Sequence, residues 1–266
     1  MKDLFSLEGR TALVTGGSRG IGEMIAEGLL AHGARVYVAS RKADACEAAV
    51  ARLLEATGAP ADRCRALPAD VSTVEGCDAL AAAFGEREQA LDILVNNAGA
   101  AWGEPFEAFP EAGWDKVMSL NVKTPFFLTK ALHGRLKAAA REDRPSKAIM
   151  VASIDGLRIN PWETYSYQAS KAALIHLTRR MAARLIQDRI CVSGIAPGAF
   201  ASNMNKAARD HADMVAKVVP GGRVGAPSDM AGVAVFLASR AGDYVVGETI
   251  AVDGGMAHAS FGHFGS

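Results

Sequence analysis

The stretch "TALVTGGSRGIGEMIAEGLLAHG", residues 11–33, decides the fold. The β-branched run "TALVT" (Thr11–Thr15) reads as a buried strand, and "IGEMIAEGLLAHG" as a helix ending near Gly33. Gly16, Gly20 and Gly22 fall in the turn between them. Glycine permits a tight turn and a close approach of backbone to ligand, and the helix start offers unpaired N–H groups and its positive dipole end. The spacing is GxxxGxG, which misses the GxGxxG fingerprint, and there is no lysine–hydroxyl pair of an ATP-binding phosphate loop. A dinucleotide pyrophosphate suits this turn best. A plain strand-to-helix join is the competing reading.

The same alternation runs down the chain. "RVYVAS" (residues 35–40) is a strand, "ADACEAAVARLLEAT" a helix, "RCRALPAD" enters a short strand, residues 72–87 are helical, and "LDILVNN" (91–97) is a fourth strand. Helices over 111–120 and 122–140 precede strand "KAIMVAS" (147–153). A strong helix over 165–186, strand "ICVSGIAP" (190–197), helix "SDMAGVAVFLAS" capped by Ser228, and strand "TIAVDGG" (249–255) complete the set. Repeated βαβ units without a polar linker predict an α/β fold. They give a single domain over residues 1–266, a Rossmann-like, doubly wound parallel sheet of about seven strands with helices on both faces. Residues 198–222 mix two short helical pieces with glycine and proline. They are either a flap or a surface excursion, and their position after the sixth strand favours a substrate flap.

Bulk composition excludes several functions. The 266 residues carry 29 basic against 29 acidic side chains, with 50% apolar and 22% charged, an ordinary balance that gives no support to a nucleic-acid binder. No secretory signal and no apolar run of bilayer length is visible, so no membrane span and a cytoplasmic location are expected. Cys46, Cys64, Cys77 and Cys191 are scattered without CxxC pairing or nearby histidines, which predicts neither a disulfide framework nor a metal site.

The end of the second strand sets nucleotide selectivity. An acidic residue there would hold ribose hydroxyls and repel a 2′-phosphate. This chain has Ser40, Arg41 and Lys42, with Arg19 in the glycine turn and Asp44 slightly too far on. Guanidinium forks match phosphate oxygens, so NADPH/NADP+ is the expected cofactor, held by Arg41 and Arg19; ordinary surface charge is the alternative.

The reacting groups come from the second half. Ser153 ends the fifth strand, and Asn121 follows the fourth. Tyr167 and Lys171 are i and i+4 on one helix face, whereas Tyr165 and Lys171, six apart, lie about 240° from each other around the axis. Hydride delivery to a carbonyl creates alkoxide character that a phenol can protonate. A neighbouring ammonium and an oxidised nicotinamide are expected to lower the tyrosine pKa, and a serine hydroxyl to polarise the carbonyl.

With these residues in place the chain resembles the short-chain dehydrogenase/reductase family over nearly its full length. "TGGSRGIG" matches the family's cofactor turn, which implies Gly16, Ser18, Arg19, Gly20, Ile21 and Gly22 as contacts, together with Ser40 and Arg41. Asp70 and Val71 match the adenine side, and "NNAG" supplies Asn97, Ala98 and Gly99. Pro197, Gly198 and Ser202 fall near nicotinamide in the family, Ser202 replacing a frequent threonine. The resemblance implies Asn121, Ser153, Tyr167 and Lys171 as catalytic residues, Tyr167 and Lys171 also touching cofactor. The interval from Ser153 to Tyr167 is 14 residues, one longer than in many members, which implies an unusual substrate wall in "IDGLRINPWETYSY".

The fuller resemblance is to 3-oxoacyl thioester reductases, especially the branch of rhamnolipid synthesis. It implies reduction of a 3-oxoacyl group on acyl carrier protein or coenzyme A. A polyol, sugar acid, steroid or other secondary alcohol is the alternative substrate, and a cofactor-binding protein without catalysis a further one. For an acidic carrier, Arg135, Lys137, Arg141, Arg144, Arg179 and Arg180 are the docking candidates, or else solvated helix faces. Trp102, Ile154, Leu157, Trp162 and Met204 are either cavity lining or core. The family implies a homotetramer, with "FFLTKAL", "AALIHLTRRMAARL" and the tail "AHASFGHFGS" as intersubunit candidates.

Overall fold

The computed structural model describes residues 3–259. The candidate tail therefore lies outside the described residues from 260 onward. Seven parallel strands form one sheet: β1 Thr11–Thr15, β2 Arg35–Ala39, β3 Cys64–Ala66, β4 Ile93–Asn96, β5 Ser146–Val151, β6 Ile190–Pro197 and β7 Thr249–Val252. Their order is β3-β2-β1-β4-β5-β6-β7, so the chain reverses direction across the sheet between β1 and β4. The helices are α1 Gly20–Ala31, α2 Ala43–Thr57, α3 Val74–Gly85, α4 Glu111–Met118, α5 Thr124–Ala139, α6 Tyr165–Leu185, α7 Lys206–Asp210, α8 Ala212–Ala216 and α9 Pro227–Ala238. This is the Rossmann-like single domain that the alternation predicts.

Strand periodicity explains the two layers. Along β1, Ala12 and Val14 face one side and Leu13 the other. The first face packs Val14, Val36 and Val38 beneath Ile25, Leu29, Leu53 and Met230 of α1, α2 and α9. The second packs Leu13, Leu94 and Met150 beneath Phe84, Leu128, Leu132 and Leu174 of α3, α5 and α6. Most of the two apolar stretches expected at subunit contacts is thus spent in the protein's own core. Phe126 remains 41% exposed. The four cysteines are free thiols and buried. Among the described residues no helix is long and apolar enough to cross a membrane.

Two boundaries depart from expectation. Ser228 is not a cap: α9 starts one residue earlier, with Pro227 at its first position, where the missing N–H costs nothing. The Asp229 carboxylate instead accepts from the Ala226 N–H at 2.8 Å. The strand ending in Ser153 stops at Val151, and Ser153 caps a short turn, its Oγ accepting from the Asp155 N–H at 3.1 Å.

The central strands are pinned at their amino ends by a buried carboxylate. Asp92, 7% exposed, accepts from the Thr11 N–H at 2.9 Å and from Arg144 Nη2 at 2.6 Å. Arg10, itself 3% exposed, lies in the same charge cluster, with its pKa lowered by burial and by Arg144. Removing the carboxylate leaves two guanidinium groups facing each other. Asp92→Ala is expected to destabilise the fold by about 3 kcal/mol, read as a drop in the denaturant midpoint at unchanged slope.

Candidate functional site

Parallel strands place all their carboxyl ends on one edge, and the loops leaving that edge part where the strand order reverses. Thr15, the last residue of β1, ties the two sides of the opening together. Its Oγ1 accepts from the N–H groups of Asn97 and Ala98, both at 3.1 Å, and donates to Val95 O at 3.2 Å. Asn97 Nδ2 in turn donates to Thr15 O at 2.9 Å and Gly16 O at 3.2 Å. The spot where Gly22 faces Gly16 and Asn97 has no room for a side chain, since a Cβ would collide with the Gly16 carbonyl. Gly20 needs its positive φ of 56°, and a Cβ there would stand 3.2 Å from Ser202.

The turn is a ready anion cradle. Helix α1 has no side-chain cap. Among the described residues, no protein acceptor pairs with the N–H groups of Arg19, Gly20, Ile21 or Gly22. Four unpaired donors at a positive dipole end fit a pyrophosphate. Arg19 and Arg41 are exposed and, among the described residues, form no ion pair, while Ser40 Oγ lies 3.1 Å from Cys46 Sγ. Asp70 is exposed with its Oδ1 accepting from the Ser72 N–H at 3.0 Å, and Val71 is buried. Pro197 closes β6, and the Gly198 N–H donates to Val252 O at 2.9 Å.

Tyr167, Lys171, Ser153 and Asn121 converge at the same edge. Lys171 is 5% exposed and donates from Nζ to Val151 O at 2.9 Å, with Nζ 5.5 Å from the Tyr167 ring centroid. Asn121 sits in a π-helical turn, Ser119–Lys123, that joins α4 to α5. It accepts from the Ala100 N–H at 2.8 Å and donates to Ala100 O at 2.9 Å and Ser170 Oγ at 3.0 Å. Ser170 Oγ donates to Tyr167 O at 2.7 Å. Sequence reasoning missed Thr15 and Ser170; a hydroxyl at a strand end and one on the tyrosine's helix, three residues on, were the available signals. Tyr165 lies elsewhere: its hydroxyl donates to Glu163 Oε1 at 2.9 Å and its ring meets Phe106 and Phe109 edge-on.

Burial shifts both ionisable groups of the pair. Burial pushes the Tyr167 phenol up to about 12, with the Ser153 hydroxyl opposing the shift and the Asp155 charge adding to it. Burial also pulls Lys171 down to about 8, while Asp155 raises it. Without cofactor, loss of solvent is thus the largest influence on the Tyr167 phenol and favours its protonated form.

The chain belongs to the short-chain dehydrogenase/reductase family. A family model described as Enoyl-(Acyl carrier protein) reductase matches residues 16–257. The rhamnolipids biosynthesis 3-oxoacyl-[acyl-carrier-protein] reductase of Pseudomonas aeruginosa is 46% identical over 259 residues, covering 96% of this chain and 99% of that one. A solved Pseudomonas aeruginosa RhlG/NADP active-site complex superposes with a TM-score of 0.91 at 44% identity, covering 97% of this chain and 100% of that one. The 5-keto-D-gluconate 5-reductase of Escherichia coli is 35% identical, covering 96% of this chain and 98% of that one. The protein is thus an NADP(H)-dependent oxidoreductase acting between a secondary alcohol and a ketone.

The remaining candidates divide. Trp162 and Met204 are exposed, 70% and 56%, and Trp102 is half-buried, its ring against Gly113 and under Lys116. Ile154 is buried and Leu157 packs on the core, so core packing accounts for both. A hollow of about 370 Å³ opens between residues 103–105 and 162–164. A larger one of about 580 Å³ lies at the opposite edge, between Phe5, His32 and Arg63, and holds none of the reacting groups. The candidate docking side chains lie away from the carboxyl edge. Arg135, Lys137, Arg141 and Arg144 belong to the end of α5 and the approach to β5, at the amino edge, where Lys137 pairs with Asp188 and Arg144 with Asp92. Arg179 and Arg180 lie about 12 Å down α6 from Lys171.

The lysine shift has a measurable consequence. Between pH 8 and the unfolded lysine range near 10.5, the unfolded chain binds a proton that the native one does not, so stability rises with pH. The burial penalty is full below about pH 8. Wild-type protein without added nucleotide is expected to gain up to about 1.4 kcal/mol per pH unit relative to Lys171→Met between pH 8 and 10, read from denaturant midpoints. Parallel wild-type and mutant curves would contradict it.

Proposed function

We propose that the protein reduces the 3-oxo group of an acyl thioester, carried on acyl carrier protein or coenzyme A, to the 3-hydroxyacyl thioester. The observation that carries this reading is the apolar rim. Phe106 (70% exposed), Trp162 (70%) and Ile159 (87%) stand out on loops between β4 and α6, Phe106 against Tyr165, with Met204, Met214 and Val218 on the segment after β6. Exposed apolar groups gathered at one edge suit a hydrocarbon chain better than a polyhydroxy acid. The 46% identical relative, named for a 3-oxoacyl-carrier substrate, supports the same choice. Residues 198–222 are proposed as the flap that covers that chain.

NADPH, when bound, supplies the hydride. The turn from Gly16 to Gly22, including Ser18, is proposed to hold its pyrophosphate, with Arg19, Ser40 and Arg41 at the 2′-phosphate. Asp70 and Val71 lie on the adenine side, and Asn97, Ala98, Gly99, Pro197, Gly198 and Ser202 toward the nicotinamide. Ser153 donates a hydrogen bond to the substrate carbonyl, and Tyr167 gives its proton to the oxygen as the C3–H bond forms. Lys171 stabilises the phenolate that results, and Asn121 positions a route by which the proton is replaced. Family resemblance and the exposed Phe126 and Trp114, the latter 42% exposed, support a homotetramer.

One observation favours a sugar acid instead. Arg158 stands in the loop between Ser153 and Tyr167, a guanidinium of the kind that pairs with a carboxylate. Initial rates of NADPH oxidation over a chain-length series of 3-oxoacyl thioesters, beside 5-ketogluconate, separate the two. The expected result is turnover that rises with chain length and falls at least about 100-fold in kcat for Tyr167→Phe. Turnover of 5-ketogluconate with none of the thioesters would sink the acyl reading. Arg41→Ala is expected to lose about tenfold or more of the preference for NADPH over NADH, measured by competitive binding.

A further inference from the structure

Arg52 lies on α2, outside every motif of the cofactor turn, yet its guanidinium reaches across to that turn. Nη2 donates to the Ser18 carbonyl at 3.2 Å, and Nε donates to Glu23 Oε1, the first-turn acid of α1, at 2.8 Å. The Ser18 carbonyl and the Arg19 N–H belong to one planar trans peptide and so point in opposite directions. Holding the carbonyl toward α2 aims the Arg19 N–H away from α2, and the next donors along the turn, Gly20, Ile21 and Gly22, are also unpaired among the described residues. Without that hold, the peptide is free to rotate its carbonyl into a site built for an anion, where it would repel phosphate oxygens. The same guanidinium neutralises Glu23, a carboxylate in the first turn of the helix that receives the phosphate.

We infer that Arg52 is a positioning residue for the dinucleotide pyrophosphate, fixing the Ser18–Arg19 peptide and screening Glu23. The inference rests on the proposed role of the glycine turn. It acts on the part common to both nicotinamide dinucleotides, which sets it apart from Arg41. The residue carries no part of the hydride or proton transfer, so its loss belongs in cofactor affinity and not in the chemical step.

The test is equilibrium binding of NADPH and of NADH, with steady-state kinetics, for wild type, Arg52→Ala, Arg52→Lys and Gly20→Ala. Arg52→Ala is expected to weaken both cofactors by the same factor, about five- to tenfold, with kcat at saturating NADPH within about twofold of wild type. Arg52→Lys, which reaches either Ser18 O or Glu23 but cannot fork between them, is expected to recover part of the loss. A loss confined to NADPH would make Arg52 a direct reader of the 2′-phosphate and overturn the inference. So would unchanged affinity, or a fall in kcat alone. Gly20→Ala, checked for native circular dichroism, separates this from the reading beneath it. If it leaves NADPH affinity intact, the turn does not hold the phosphate; if it weakens binding while Arg52→Ala does not, only the role of Arg52 falls.

Discussion

A single hydroxyl holds the reversal point of the sheet together. Thr15 Oγ1 accepts two backbone N–H groups from the segment leaving β4 and donates to Val95 O, saturating its capacity. At this point the loops from β1 and β4 diverge, and a crevice necessarily leaves backbone groups without sheet partners. Thr15 and Asn97 satisfy those that face inward. The donors at the start of α1 stay unpaired and face outward. The crevice is thereby rigid on its floor and unsatisfied at its mouth, the combination a charged dinucleotide requires.

The far side of the crevice is governed by burial of charge. Lys171 is nearly inaccessible, its ammonium satisfied by one backbone carbonyl, and Asp155 is the carboxylate that acts on it. Burying an ammonium so sparsely partnered costs stability, and the lowered pKa records that cost. Loss of solvent likewise raises the Tyr167 phenol, itself half-buried, above its usual range. A protonated phenol beside a lysine whose pKa is lowered suits the proposed carbonyl reduction, in which the phenol delivers its proton. The hydrogen bonds from Asn121 through Ser170 to the Tyr167 backbone lock the start of α6 against the π-helical turn, so the phenol's position is set by the backbone of two elements.

Much of this was legible in the residues. The β-branched runs and their glycine punctuation located β1 and β6 to the residue and the other strands within a few, because buried parallel strands have little freedom in composition. The i, i+4 spacing separated Tyr167 from Tyr165, and the structure gives the two rings different neighbours. What stayed hidden has a common cause: it depends on contacts distant in sequence. The π-helical turn around Asn121 leaves no mark in an apolar period. The direction of the Tyr167 shift turns on desolvation, which a motif does not carry. Arg135, Lys137, Arg141 and Arg144 read as a cluster, but the end of α5 and the segment before β5 place them at the amino edge. Arg52 lies in no sequence motif, although α2 brings its Nη2 to the Ser18 carbonyl.

Selectivity for substrate therefore rests on surfaces the shared catalytic geometry does not fix. Relatives that reduce keto acids of sugars and those named for acyl carriers share this sheet and overlap along nearly the whole chain. What differs must lie where loops leave the carboxyl edge. Here those loops carry both kinds of feature: exposed apolar side chains from Phe106, Ile159 and Trp162, and guanidinium groups such as Arg158. The two are not in conflict for a substrate that is itself amphipathic. A 3-oxoacyl thioester offers a hydrocarbon chain at one end and, on either carrier, phosphate at the other. On the proposed acyl reading the hydrocarbon chain would cover those apolar side chains, which a sugar acid would leave in contact with water.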